Sequence, residues 1–192
     1  MDYPEYVEAN GKRYKINTDF RVAIECEEIA QSEVNEYEKV LAIIYKLFGD
    51  EGLEDFENHE ELVRLGQIYL LCGKEPTGEK EEQDMDFIQD YGLIKASFRS
   101  DYNINLDDEK MHWYEFCDLM NGLSESELGN SCVLNRVRNL RTMDISKINN
   151  PKERAKIQKM QEKVALRKKK KKYTEQQIKS MEKFYNQVNR KE

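Results

Sequence analysis

The side chains of this sequence that could do chemistry are two histidines, four cysteines and several carboxylate clusters. His112 precedes the only tryptophan, Trp113, and has no second histidine or cysteine at ligand spacing within the same predicted helix. Such a ring reads as a packed or surface imidazole. His59 opens another predicted helix and carries still less signal. The runs Glu25-Cys26-Glu27-Glu28 and Asp107-Asp108-Glu109 could draw a cation, but they lack the glycine-punctuated ligand order of a calcium loop. Acidic residues also favour the first turn of a helix for electrostatic reasons alone. Cys26, Cys72, Cys117 and Cys132 show no C-x-x-C pair and sit in apolar helical contexts, as buried thiols of a reducing cytosol do. No nucleophile elbow, phosphate loop, dinucleotide fingerprint or H-E-x-x-H occurs. These residues predict neither an enzyme nor a cofactor or metal protein.

The remaining chemical feature is electrostatic. Arg167, Lys168, Lys169, Lys170, Lys171 and Lys172 form an unbroken basic run, able to meet phosphate backbones or an acidic protein surface. Tyr173 is the only aromatic side chain near it for base stacking. The net charge of −7 is unevenly spread: residues 150–192 hold 15 basic against 5 acidic side chains, and residues 1–149 hold 16 against 33. An acidic body repels nucleic acid, so the basic segment points first to self-association or an acidic protein partner, with nucleic acid as the alternative.

Helices supply most of the framework. With 36% charged and 39% hydrophobic residues, the chain can still bury a core through helical stripes. Tyr6-Val7-Glu8 and Arg13-Tyr14-Lys15-Ile16 flank Asn10-Gly11, which predicts a hairpin with a type I′ turn. So small a hairpin buries only part of its tyrosines, so Tyr6 and Tyr14 are candidates for partner contact as well as for docking on the domain. Thr18 or Asp19 caps a helix running to about Gln31. Tyr37, Leu41, Ile44 and Phe48 mark the face of a second helix ending at Gly49. Gly52 to Asn58 reads as a loop, Glu60 to Cys72 as a third helix, and Gly73 to Gln83 as an acidic linker. Phe87, Tyr91, Ile94 and Phe98 line one face of a helix ending near Ser100. After an extended Tyr102 to Leu106, Asp107 is the expected cap of the next helix, with Leu106 and Met111 as a hydrophobic staple. Trp113, Phe116, Cys117 and Met120 form its stripe and Asn121-Gly122 its end, which places the tryptophan between two helices packed face to face. Cys132 to about Thr142 is a further helix.

After Asn149-Asn150-Pro151 the composition turns basic and nearly free of helix breakers. Ile157, Val164, Ile178 and Tyr185 keep one seven-residue column, and Met160, Met181 and Val188 another. Arg167, Lys171 and Thr174 interrupt the register, leaving open one long helix weakened in the middle or two hinged near Lys172–Thr174. The expected organisation is therefore an acidic helical domain over residues 1–149 and a basic helical tail over 150–192. The tail's apolar columns are candidate partner-binding residues.

Several stretches carry a family resemblance: Leu93-Ile94, Ala96-Ser97-Phe98, Tyr102-x-Ile104-x-Leu106, Met111-His112-Trp113-x-x-Phe116, Gly122-Leu123 and Met143-Asp144-Ile145. In order and spacing they resemble the "gene product fifteen" family of bacteriophages infecting Gram-positive bacteria. Members often have Gly-Ile-Asp where this chain has Asn103-Ile104-Asn105. The resemblance implies no catalytic site. It implies a gene lying just before that of the tape-measure protein, and so a chaperone-like role in tail morphogenesis, binding tape-measure or tail-tube subunits in the host cytoplasm. Alternatives are a nucleic-acid-associated phage protein or a stable component of the virion. No apolar leader and no run of about 18 apolar residues is seen, so neither secretion nor a membrane span is expected. The fold class expected is mainly α: a helical domain with a small N-terminal β-hairpin and a C-terminal basic amphipathic tail.

Overall fold

The computed structural model describes residues 3–76, 83–125 and 131–167. Among these, the hairpin strands β1 (Tyr6–Ala9) and β2 (Lys12–Lys15) lead into seven helices. They are α1 (Phe20–Gln31), α2 (Glu36–Glu54), α3 (His59–Leu70), α4 (Tyr91–Tyr102), α5 (Trp113–Asn121), α6 (Val133–Thr142) and α7 (Pro151–Val164). The protein is mainly helical with one small antiparallel hairpin, as its periodicities predict.

The hairpin forms because Asn10 and Gly11 hold φ angles of 50° and 82°, the left-handed pair that a type I′ turn requires. Val7 pairs with Tyr14 on one face, while Tyr6 and Arg13 share the other. The Tyr14 face turns inward. Tyr14 is fully buried, its hydroxyl donating to Asp55 Oδ2 at 2.6 Å and accepting from Asn58 Nδ2 at 2.9 Å. Tyr14 is thus a core residue of the domain and offers no surface to a partner. Tyr6 remains 40% exposed, with the Arg13 guanidinium 3.9 Å above its ring.

Asp19 caps α1 by accepting from the Arg21 amide, and Asn35 caps α2 through Glu38. Gly49, at φ 67° and ψ −159°, breaks α2 after Phe48 and the chain resumes one more helical turn. The buried stripe of α2 is Ile44, Leu47 and Phe48, with Val40 packed against the core. Tyr37, expected on that face, is 66% exposed instead, since it sits in the first turn of the helix, ahead of the buried stripe.

The start of α5 departs from the sequence reading. Asp107 caps nothing; it pairs with Lys95, and residues 106–108 form a turn. That turn is organised from afar by Arg21, whose Nη2 donates to the carbonyls of Leu106, Asp107 and Glu109 at 2.6, 3.2 and 2.7 Å. His112 is the cap: its Nδ1 accepts from the Tyr114 amide at 3.0 Å. Two backbone bonds, Phe20 N to Met111 O and Trp113 N to Thr18 O, lay the residues before α5 beside the start of α1. Phe87 also lies outside its expected helix, in the turn before α4, yet its ring meets Trp113 edge-on at 5.7 Å.

Phe116 is the centre of the core. It stacks on Phe20 at 4.7 Å, Phe98 at 5.2 Å and Trp113 at 5.6 Å, joining α1, α4 and α5. The tryptophan does not separate α4 from α5. Its indole N–H donates to Leu70 O at 3.1 Å, which fastens α5 to the end of α3. The loss of water from these rings supplies most of the drive to pack the helices.

Helix α6 packs on α4, and α7 packs on α6. Pro151 takes the first turn of α7 under an Asn150 cap. Gln161 donates to Leu140 O and Met143 O, so the composition change at Pro151 is no break in packing. The helical periodicity read beyond Arg167, including Ile178, Met181, Tyr185 and Val188, lies outside the described residues. Among the described residues no helix is long and apolar enough to cross a membrane.

Candidate protein-interaction site

An apolar groove opens between α1, α2 and α3, with a volume of about 320 Å³. Helix periodicity puts Val40, Ile43 and Leu47 of α2 on one wall and Val63, Gly66 and Leu70 of α3 on the other. Cys26 and Ala30 of α1 close a third side, and Glu27 and Gln67 supply polar rim. Gly66 lets α3 come close to α2: a Cβ there would lie 3.1 Å from Leu47 Cδ1. Burial pushes the Cys26 thiol up to about 12, with Glu25 adding to the effect, so this lining sulfur is an inert apolar group. A groove of this shape, apolar inside and polar at the lip, takes the apolar stripe of a helix.

A second cleft, polar and about 800 Å³, lies where the described chain ends. Arg141, which lines it with a side chain 11% exposed, is ion-paired with Asp90, whose side chain is 3% exposed. Arg141 Nη1 and Nη2 hold the two carboxylate oxygens at 2.7 and 2.8 Å. Burial alone would raise the Asp90 carboxyl, but the Arg141 hydrogen bonds, the Asp86 amide and the guanidinium charge together hold it below its ordinary value. Arg141 also donates to Asp84 O at 2.9 Å and, through Nε, to Val164 O at 2.6 Å. One guanidinium therefore ties α6 to the turn before α4 and to the last turn of α7. Next to it, the Gln89 side-chain amide grips the Arg167 backbone on both sides: Arg167 N donates to Oε1 at 2.8 Å and Nε2 donates to Arg167 O at 3.3 Å. Arg167, read as the start of a basic run, is thus clamped to the body; Lys168, Lys169, Lys170, Lys171 and Lys172 lie outside the described residues.

The other candidate residues divide. Ile157 and Val164 are half-buried on the side of α7 that carries Gln161, while Met160 is 43% exposed. His112 is sandwiched structurally: Tyr3 stacks on its ring at 5.0 Å, and its Nε2 lies 3.1 Å from Pro4 O. Tyr69 stacks on Tyr114 at 5.3 Å, and its buried hydroxyl has no hydrogen-bond partner among the described residues. Three residues beyond each tyrosine stand Cys72 and Cys117, whose thiols interact so that the pKa of Cys72 is lowered and that of Cys117 raised. All four cysteines are free thiols, Cys26 and Cys132 buried and the other two half-buried. Among the described residues no three His, Cys, Asp or Glu side chains are grouped to hold a metal ion.

Sequence reasoning missed the groove. Its walls come from helices whose apolar residues all read as core, and only their relative roll leaves Val40, Val63 and Leu70 partly open.

Fold and surface together define a mainly helical protein with an apolar groove between α1, α2 and α3. The chain belongs to the family described as Bacteriophage Gp15 protein, whose model matches residues 2–166. The match runs through α7, as the packing does. A search of curated proteins and of solved structures gave no match.

Proposed function

We propose that this protein is a non-enzymatic assembly factor of the phage tail. It binds tape-measure or tail-tube subunits in the host cytoplasm before they polymerise. The observation that supports this most is the α1–α3 groove, apolar inside with Glu27 and Gln67 at its rim and suited to the stripe of a partner helix. A tape-measure protein built of long helices must keep such stripes from self-associating until the tail is assembled. Family membership supports the reading, because the resemblance implies a gene beside that of the tape measure. The acidic body opposes the nucleic-acid alternative: residues 1–167 hold 22 basic against 35 acidic side chains.

The test is co-expression with the tape-measure protein of the same phage. The reading expects a soluble complex that copurifies, where the tape-measure protein alone aggregates. A tape-measure protein equally soluble alone, or no copurification, would refute it.

A further inference from the structure

We propose that the segment 168–192 of the same chain occupies the α1–α3 groove, so that the free protein covers its own docking site and a partner helix must displace the cover. The proposal rests on the groove being a docking site, but not on the identity of the partner.

The position where the described chain ends argues for it. Arg167 is clamped by Gln89 in a cleft that is also lined by Gln31, the last residue of α1. The groove begins on that same helix, at Ala30, Glu27 and Cys26. From Gln31 back to Cys26 is about 7.5 Å along a helix axis. The eleven residues from Arg167 to Ile178 can span up to about 36 Å, so reach is no obstacle.

Charge argues in the same direction. Between Arg21 and Lys39 the sequence has six glutamates, Glu25, Glu27, Glu28, Glu33, Glu36 and Glu38, and no lysine or arginine. Residues 168–192 hold nine basic side chains against three acidic. Opposite charges closer than a Debye length, about 8 Å at physiological salt, attract without full screening, so an acidic helix end favours a basic occupant.

Apolar pattern supplies the specificity. Ile178, Met181 and Tyr185 fall at i, i+3 and i+7, with Phe184 and Val188 alongside. That is the anchor spacing with which a helix enters a groove. The stripe needs cover, and the groove is apolar cover placed where the chain emerges. Charge recruits the segment and the stripe seats it.

The test is carbodiimide cross-linking of the full-length protein, using an equal mixture of ordinary and ¹⁵N-labelled chains and mass spectrometry of the peptides. The ion pairs Lys39–Glu36 at 2.8 Å and Lys46–Glu25 at 2.6 Å provide internal controls for the chemistry. The expected result is cross-links from Lys179 and Lys183 to Glu27 and Glu28 within single chains. In the Ile178→Asp/Met181→Asp variant these should fall roughly tenfold or more, because a carboxylate cannot enter the apolar groove without cost. An unchanged thermal melt would show that the variant is folded. Cross-links joining labelled to unlabelled chains would overturn the proposal in favour of a second copy as occupant. Equal yields in the variant, or cross-links spread to distant acids such as Asp107 and Asp108, would reduce the contact to charge alone and overturn it. Absence of cross-links to α1 with the controls intact would also overturn it. Because no partner is present, failure here is separate from failure of the tail-assembly reading.

Discussion

Replacing Arg141 by methionine should be among the most damaging single changes in the domain, and its damage should depend on pH. The substitution keeps an apolar stem but removes the fork that holds Asp90 at 2.7 and 2.8 Å. Asp90 would then be a carboxylate with a 3% exposed side chain and one remaining donor, the Asp86 amide at 3.1 Å. Breaking a buried pair from one side costs about 3–5 kcal/mol. For a chain of this size each kcal/mol moves the melting temperature by about 2–4 °C, so the expected drop is roughly 6–20 °C near neutral pH. The sign with pH follows from Asp90. In the native protein its pKa lies below the ordinary value, so its contribution is present above about pH 3.9 and is lost as pH falls through the folded value. In the variant burial is left largely unopposed and raises the carboxyl, so its penalty appears only above the unfolded pKa and vanishes on protonation. Both effects narrow the gap between the two proteins on acidification. Circular-dichroism melts near pH 7 and near pH 3.5 measure it, and Asp90→Asn added to Arg141→Met should recover part of the loss at neutral pH. A drop smaller than about 2 °C, or one equal at both pH values, would refute the role given to this pair.

Trp113→Ala should cost about 3–5 kcal/mol, since the indole fills space beside Phe87 and Phe116 and satisfies Leu70 O; a denaturant midpoint unchanged by the substitution would contradict that packing. Tyr69→Phe should be neutral or stabilising by about 1 kcal/mol, because it removes a buried hydroxyl without a partner among the described residues; a clear loss of stability in the same titration would mean the hydroxyl is bonded.

Local signals carried much of the fold. Asn10-Gly11 predicted the hairpin because few other dipeptides accept two positive φ angles, and Asp19 marked α1 because its carboxylate reaches the Arg21 amide. Where distant residues decide, the local reading failed. Asp107 has the ideal side chain for a cap, yet Arg21, more than eighty residues away in sequence, gathers the carbonyls of its turn and moves the helix start to His112. Tyr14 could be read as facing a partner or as docked on the domain, because nothing near it in sequence announces Asp55 and Asn58, which satisfy its hydroxyl inside the domain. The groove was illegible for a similar reason: an apolar stripe shows which residues leave water, but not how two stripes are rolled against each other. The basic change at Pro151 was real in composition, yet α7 packs on α6, because Gln161 and Arg141 bind the two helices through backbone carbonyls that no side-chain pattern displays.

The central claim is that a partner helix docks in the α1–α3 groove, and the affinity of the purified complex with the tape-measure protein tests it most directly. Val63 lines the groove at a half-buried position, so Val63→Asp places a charge on its wall without cutting into the centre of the core. Burying that carboxylate against an apolar stripe costs well over the roughly 1.4 kcal/mol that corresponds to tenfold, so Kd should rise tenfold or more. A folded Val63→Asp protein that binds the tape-measure protein with unchanged Kd would contradict the account.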